Sequence, residues 1–146
     1  MKFSGTVEIV APRQRVWAFL MDPRNVAPCG PGFESIEMLD ESRFRVSAKV
    51  GIGYISARFT VSGEITVAEP NERAVVTGSG QAPGSAVDGS AQMRLSGPPD
   101  GPTTMDWSAD VRIAGKLASV GARLIEGTAN KLIGQTFDCI RARIAA

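Results

Sequence analysis

The chain has 146 residues, 43% hydrophobic and 21% charged, a composition that fits one globular domain spanning residues 1–146. Sixteen basic and fifteen acidic residues leave a formal net charge of +1, so no strong field attracts nucleic acid or another polyanion. No apolar run approaches the roughly 18 residues of a membrane-spanning helix, and the start, MKFSGTVEIV, lacks the apolar core of a signal peptide. We therefore expect a cytoplasmic protein.

The N-terminal segment predicts one strand followed by one or two short helices. Apolar and polar side chains alternate from Phe3 to Ile9, as in a half-buried strand. A short amphipathic helix begins near Pro12 and ends at Asp22-Pro23. Residues 24–32 (RNVAPCGPG) hold two prolines and two glycines, so at most one further helical turn precedes a rigid loop.

Clean alternation in the middle of the chain predicts six more antiparallel strands. In one of these strands the residues on one face are Phe44, Val46, Ala48, Val50 and Ile52. In the next strand they are Ile55, Ala57, Phe59, Val61, Gly63, Ile65 and Val67. A turn at Glu69-Pro70-Asn71-Glu72 leads into a hairpin. Two later strands, Ala86–Leu95 and Thr103–Ile113, flank a loop rich in proline and glycine.

The last segment, Gly115 to Ile144, predicts one long helix with three internal glycines, Gly121, Gly127 and Gly134. Each glycine should cost about 1 kcal/mol relative to alanine. Because no other element is long enough to cover the apolar face of the sheet, the sheet must wrap around this helix. The prediction is an α+β fold in which a curved antiparallel sheet of about seven strands grips one C-terminal helix.

Small residues recur on the inward face of the predicted sheet. They are Ala48, Ala57, Gly63, Gly78, Gly80, Gly89, Ala91 and Ala109. One interpretation is close approach of the helix, with glycines serving as bulges in a curved sheet. The other is an apolar cavity between helix and sheet, of the size that ligands occupy. Its predicted lining is Phe33, Phe59, Val61, Val76, Met93, Trp107, Val120 and Leu124, with Tyr54 at the rim.

Catalytic and metal-binding groups are scarce. The sequence has no histidine, which removes the commonest general base and the commonest metal ligand. Neither a catalytic triad nor a metal site can be assembled, and no cofactor is expected. Cys29 and Cys139 match neither a disulfide framework nor a zinc spacing, and we interpret them as small buried hydrophobes.

Three segments together resemble the CoxG-like family of carbon monoxide dehydrogenase subunits, within the START-like, Bet v 1-type helix-grip superfamily (SRPBCC). They are MKFSGTVEIVAPRQRVWAFLMDP, CGPGFESIE and GKLASVGARLIEGTANKLIGQTFDCI. The resemblance covers essentially the whole chain. It places Pro28, Cys29, Pro31, Gly32 and Phe33 in an entrance loop, and Leu117, Gly121 and Leu124 on the gripping helix.

The resemblance implies a cavity for an apolar molecule. It also implies a partner enzyme among the molybdenum hydroxylases, which the protein would recruit to the membrane or supply with quinone. Many members continue past the helix into a tail with an apolar anchor, whereas this sequence stops at Ala146. We therefore expect membrane contact to be peripheral at most.

The leading hypothesis is a non-catalytic carrier or adaptor that holds a quinone-like or lipid-like molecule beneath the long helix. Trp17 and Phe19, with the loop from Pro28 to Phe33, would gate its entry. Two alternatives remain. One is a cyclase or dehydratase of the same fold, using Tyr54 or an acid near the mouth as proton donor. The other is a structural interaction module with a filled core.

Overall fold

A computed structural model describes residues 1–145 as one antiparallel sheet and a long C-terminal helix. The strands are β1 (Lys2–Ile9), β2 (Phe33–Met38), β3 (Arg43–Ile52), β4 (Ile55–Glu69), β5 (Arg73–Ala82), β6 (Ser85–Ser96) and β7 (Thr103–Gly115). The helices are α1 (Arg13–Leu20), α2 (Pro23–Val26) and α3 (Ala122–Ala145), with 3₁₀ turns at Ala27–Cys29 and Lys116–Val120. The predicted α+β helix-grip fold is confirmed.

The seven strands form a single sheet in the order β1-β7-β6-β5-β4-β3-β2. Every neighbouring pair is antiparallel, so consecutive strands β2 to β7 are joined by short turns and β1 closes beside β7. A bulge between Ile65 and Val67 shifts the register, so that Val67 pairs with Val75 and Ala68 pairs with Ala74.

The helices after β1 begin where the sequence predicts. Pro12 precedes α1 in an extended conformation. Asp22 caps α2 by accepting a 3.0 Å hydrogen bond from the Arg24 N–H, and Pro23 occupies the first helical turn, where a missing N–H costs nothing. The chain then passes through the 3₁₀ turn Ala27–Cys29 into β2, and the Lys49 N–H of β3 donates a hydrogen bond to the Gly32 carbonyl.

The C-terminal helix is shorter than predicted. Residues Lys116–Val120 form a 3₁₀ turn, and Gly121 separates it from α3 with a backbone φ of 99°. Gly121 therefore lies at a junction that needs a positive φ, and not in a helix interior. Gly127 and Gly134 do lie within α3, but both are exposed, and a methyl group built on either meets no heavy atom within 4 Å. The helical glycines consequently make no room beneath the helix.

The core is divided into two clusters, one at each end of α3. Near the start of α3, Ile125 packs with Ile52, Phe59 and Leu117. Near its end, Ile140 and Ile144 pack in a second cluster with Ile9, Ala11, Val16, Cys29, Leu95 and Met105. Of the described residues of α3, none between Ile125 and Ile140 is fully buried. The middle of the helix therefore spans the sheet without packing closely on it.

The prediction that the two cysteines are independent buried hydrophobes is wrong. Cys29 and Cys139 form a disulfide with a Cα–Cα distance of 5.4 Å, across a sequence separation of 110 residues. The bond joins the 3₁₀ turn after α2 to the second half of α3. Sequence spacing could not show this contact, because the fold alone brings the two ends of the chain together.

The helical glycines give a first test. We expect Gly127→Ala and Gly134→Ala each to raise the free energy of unfolding by about 1 kcal/mol, because alanine lowers the entropy cost of the helix and meets no neighbour. Gly121→Ala should lower it, because alanine disfavours the positive φ. Urea denaturation of the three variants measures the sign. A stabilising Gly121→Ala would show that Gly121 lies inside the helix after all.

The disulfide gives a second test. Because it closes a very long loop, we expect reduction to lower the free energy of unfolding by about 2–5 kcal/mol. Urea denaturation with and without dithiothreitol measures the difference, and a Cys29→Ser/Cys139→Ser variant should be insensitive to the reductant. Equal midpoints for the native chain under both conditions would contradict the bond.

Candidate functional site

An apolar cleft lies between α3 and the concave face of the sheet. It consists of a first lobe of about 460 Å³ and a second lobe of about 490 Å³. The two lobes share the lining residues Phe44, Val61, Val76 and Ala91, so they form one continuous space. Either lobe alone falls within the range of ligand sites, roughly 300–1,000 Å³. The cleft lies between the two core clusters that hold α3 in place.

Three glycines in register form the floor of the first lobe. Gly63 on β4 pairs with Gly78 on β5, which pairs with Gly89 on β6. Because paired residues of antiparallel strands point to the same face, the three leave a row without side chains across the centre of the sheet. Val111 and the ring of Phe44 stand at the two ends of this row. We call it the glycine row.

The glycines of the sheet have two different roles. A methyl group on Gly63 would lie within 3 Å of the Phe44 ring, and one on Gly5 would lie 3.0 Å from the Trp107 ring, so both glycines let an aromatic side chain lie flat on its neighbouring strand. At Gly78 the nearest heavy atoms would be 3.7 Å away. Close approach therefore explains Gly5 and Gly63, and a methyl group on Gly89 would lie 3.0 Å from the Asp110 carbonyl oxygen, whereas a methyl group on Gly78 would meet its neighbours at ordinary van der Waals distance.

The second lobe is lined by aromatic rings and thioethers. Trp107 of β7 contacts Phe137 of α3, with ring centroids 5.4 Å apart and planes tilted by 48°. Met93 and Met105 line the lobe beside them. Its outer wall is formed by the segment from α1 to α2, through Leu20, Met21, Pro23, Val26 and Ala27. The first lobe, by contrast, is lined mainly by aliphatic side chains and by glycine.

None of the described residues that line the cleft is ionisable. Its few polar side chains are hydroxyls and one amide: Thr77, Ser90, Gln92, Ser108 and Thr136. No group of acidic or cysteine side chains among residues 1–145 could hold a metal ion. The cleft can exclude water and contact an apolar molecule, but its walls supply no acid or base.

The displaced carboxyl pKa values belong to the outer surface. Hydrogen bonds from the Ser42 N–H and from Arg43 lower the pKa of Asp40 to about 2 in the β2–β3 turn. Hydrogen bonds from Arg58 likewise lower the pKa of Glu34. These two carboxylates fix a turn and a strand edge, and neither lines the cleft.

The total surface area agrees with an incompletely filled interior. A compact monomer of 15.4 kDa exposes about 7,200 Å², whereas this chain exposes 8217 Å². The cleft opens to solvent along the middle of α3, where the helix residues are only half-buried or exposed. Apolar walls that water can reach favour occupation by an apolar molecule.

Six of the residues that the sequence predicted as ligand contacts line the cleft. Phe59, Val61, Val76 and Leu117 border the first lobe, and Met93 and Trp107 border the second. Of the eight predicted small inward residues, all except Ala57 line the first lobe. Period-two alternation was sufficient to place these strand residues on the inner face.

Five predicted ligand contacts lie elsewhere. Phe33 begins β2, Val120 packs against the first core cluster, and Gly121 is exposed at the start of α3. Tyr54 is 80% exposed at the β3–β4 turn, and Leu124, 43% exposed, covers Gly53 beside it. Val120, Gly121 and Leu124 differ from the prediction because the 3₁₀ turn and the positive φ of Gly121 interrupt the predicted helix.

The predicted entrance loop is fixed at both of its ends and does not line either lobe. Cys29 is held by the disulfide, and the Lys49 N–H donates a 2.9 Å hydrogen bond to the Gly32 carbonyl. Pro28 and Pro31 lie between or beside these two anchors. The residues that do border the second lobe precede the loop, from Leu20 to Ala27, while Trp17 and Phe19 pack against the second core cluster.

Sequence reasoning missed the wall formed by α1 and α2 and the inner face of α3. Ala129, Leu132, Phe137 and Ile140 border the cleft from the helix. Their spacing of three to five residues was visible in the sequence. The sequence did not show which of these residues would face open space, because Gly121 sets where the helix begins.

Solved structures of similar shape define the class of protein. A conserved protein from Geobacillus kaustophilus matches with a TM-score of 0.91 at 25% identity, covering 99% of this chain and 95% of that one. A START superfamily protein from Mycobacterium smegmatis gives 0.71 at 16%, covering 99% and 97%. The Zhui aromatase/cyclase from Streptomyces sp. R1128 gives 0.73 at 16%, covering 99% and 93%. The fold is that of the START-like helix-grip proteins.

The family model for the CoxG subunit of carbon monoxide dehydrogenase matches residues 5–145. The chain belongs to that family, which confirms the resemblance noted in the sequence. No curated protein sequence matches it.

The glycine row can be tested by two substitutions on the same face. Gly63→Ala should lower the free energy of unfolding by about 1–3 kcal/mol, because its methyl group would overlap the Phe44 ring. Gly78→Ala should be neutral or stabilising, because its methyl group has room. Thermal denaturation measures both, and an equal loss at the two positions would mean that the first lobe is closed at Gly78.

Proposed function

We propose that this protein is a non-catalytic carrier that holds an apolar molecule of the quinone or lipid type in the cleft. The observation that carries the proposal is the glycine row beneath the unpacked middle of α3, within walls whose described residues include no ionisable group. An apolar ligand gains free energy by displacing water from such walls, and it needs no polar partner there.

The two lobes suit different parts of one ligand. The tilted pair of Trp107 and Phe137, with Met93 and Met105 nearby, presents faces and edges that contact a flat ring favourably. The first lobe, lined mainly by aliphatic side chains and by glycine, suits a flexible hydrocarbon chain. We therefore propose that a ring occupies the second lobe and its chain the first.

The family description supports a proposal for the partner. Membership of the CoxG family associates the chain with carbon monoxide dehydrogenase. We propose that the protein presents its ligand to a molybdenum hydroxylase of this type. A cytoplasmic location belongs to the same proposal.

The alternative of a cyclase-like enzyme has less support. One neighbour of the same shape is an aromatase/cyclase, but its identity of 16% establishes the fold alone. Tyr54, the proposed proton donor, points its hydroxyl toward Ser119 at 3.3 Å on the exposed β3–β4 turn. None of the described lining residues could replace it as an acid or base.

Ligand binding can be tested through Trp107. In a Trp17→Phe background Trp107 is the sole tryptophan, and a short-chain quinone should quench its emission saturably. Ala129→Phe places a ring in the first lobe and should weaken binding more than about tenfold, because the chain loses its subsite. Mass spectrometry of the released quinone should find it unaltered.

The matched control is Ala142→Phe, which adds the same ring on the exposed side of the same helix and should bind as the parent does. Linear, unsaturable quenching by every quinone and fatty acid tried would refute the carrier function. Equal loss in both phenylalanine variants would show that the binding site is not the cleft.

A further inference from the structure

The two edges of the sheet are built differently. β2 forms one edge and β1 the other, and no strand within residues 1–145 pairs with the outer side of either. β2 is short and irregular, because a bulge between Phe33 and Ser35 breaks its register, and the Glu34 carboxylate is held by Arg58 at 2.6 Å. β1 has eight residues in unbroken register with β7, with neither a bulge nor a proline. β1 therefore keeps an edge that a further strand can extend.

The hydrogen bonds to β7 show which backbone groups of β1 face outward. The Met1 ammonium donates a 2.7 Å hydrogen bond to the Val111 carbonyl, and the Val111 N–H donates one of 2.8 Å to the Met1 carbonyl. Because bonding alternates along an antiparallel strand, Phe3, Gly5 and Val7 also direct their backbone groups toward β7. The backbone groups that point away from the sheet belong to the exposed residues between them, which are Lys2, Ser4, Thr6 and Glu8.

The polar residues of β1 are complementary to a second copy of themselves. When two copies of β1 lie antiparallel about Gly5, Lys2 of one copy faces Glu8 of the other, and Ser4 faces Thr6. Both pairs join residues whose backbone groups point outward, so the same register also forms two N–H···O=C bonds at each pair. Lys2 and Glu8 are exposed, and within residues 1–145 neither forms a salt bridge. Their charges are therefore available to a second chain.

The apolar residues of β1 match in the same register. Phe3 of one copy faces Val7 of the other on the concave side of the sheet, and both are only half-buried in the single chain. Phe3 packs against neither of the two core clusters. At the centre Gly5 faces itself, so no side chain of β1 separates the two strands there. Cross-strand pairs of an aromatic and a β-branched residue, like pairs of opposite charge, stabilise antiparallel sheets.

We propose that β1 pairs with β1 of a second copy of this chain, about a two-fold axis at Gly5, and so joins two seven-stranded sheets into one. A symmetric contact of this kind uses both edges completely and ends the assembly at a dimer. Because one strand edge is a small interface, the dimer dissociates on dilution. The proposal concerns the edge of the sheet, and it stands whether or not the cleft holds a ligand.

Sedimentation equilibrium of charge-reversed variants tests the pairing. The unmodified chain should dimerise as its concentration rises from about 10 µM to about 1 mM. Lys2→Glu and Glu8→Lys should each weaken dimerisation more than about tenfold, because like charges then lie opposite each other twice in the pair. An equimolar mixture of the two variants should form a heterodimer, because the carboxylates of one then face the ammonium groups of the other.

The matched control is the double variant Lys2→Glu/Glu8→Lys, which exchanges the two charges and should dimerise as the unmodified chain does. A chain that stays monomeric at the highest concentration would overturn the proposal. A dimer that survives both single reversals, or a mixture that does not recover it, would do the same.

Amide hydrogen exchange of the unmodified chain tests the register without any substitution. The N–H groups of Ser4 and Thr6 should exchange more slowly at high protein concentration than at low, because only the dimer gives them a backbone acceptor. Those of Gly5 and Val7, which face β7 in either state, should exchange equally at both concentrations. Exchange at Ser4 and Thr6 that does not depend on concentration would place the contact elsewhere and contradict the pairing of β1.

Discussion

One geometric constraint governs this molecule: a single helix must cover the apolar face of seven strands. With strands about 4.8 Å apart, the sheet is about 29 Å wide, whereas a helix with its side chains is about 10–12 Å across. Curvature of the sheet reduces the difference between its width and the diameter of the helix. The space that remains between helix and sheet must be filled by side chains or left open. Here the residues at the centre of the sheet are glycine and alanine, so the gap stays open between two core clusters.

Much of the fold followed from periodicity. Alternation along β3 and β4 predicted which residues face inward, and the length of the last helical segment predicted the element that covers them. The prediction was wrong where local pattern does not decide: at Gly121, whose positive φ ends a 3₁₀ turn, and at Cys29 and Cys139, which only the folded chain brings together. Because the break at Gly121 sets where α3 begins, local pattern could not show which residues of α3 line the cleft. Six of the eleven predicted contacts lie in the cleft.

The two ends of the cleft differ in a way that suits a carrier. At the α2 end, residues between Leu20 and Ala27 form the wall of the aromatic lobe, and the disulfide joins the 3₁₀ turn that follows them to α3. At the other end the first lobe borders the core cluster around Ile125. The proposed ligand, with a ring and a hydrocarbon chain, would lie with its chain toward the β3–β4 turn.

The alanine methyl groups allow the most direct test that the middle of the sheet is an open, ligand-accessible space. In a chain with labelled alanine methyls and a short-chain quinone added, nuclear Overhauser effects should connect the ligand to Ala91, Ala109 and Ala129, which line the first lobe. They should be absent for Ala86 and Ala114, a cross-strand pair on the outer face. Contacts to the outer pair, or to neither set, would contradict the account.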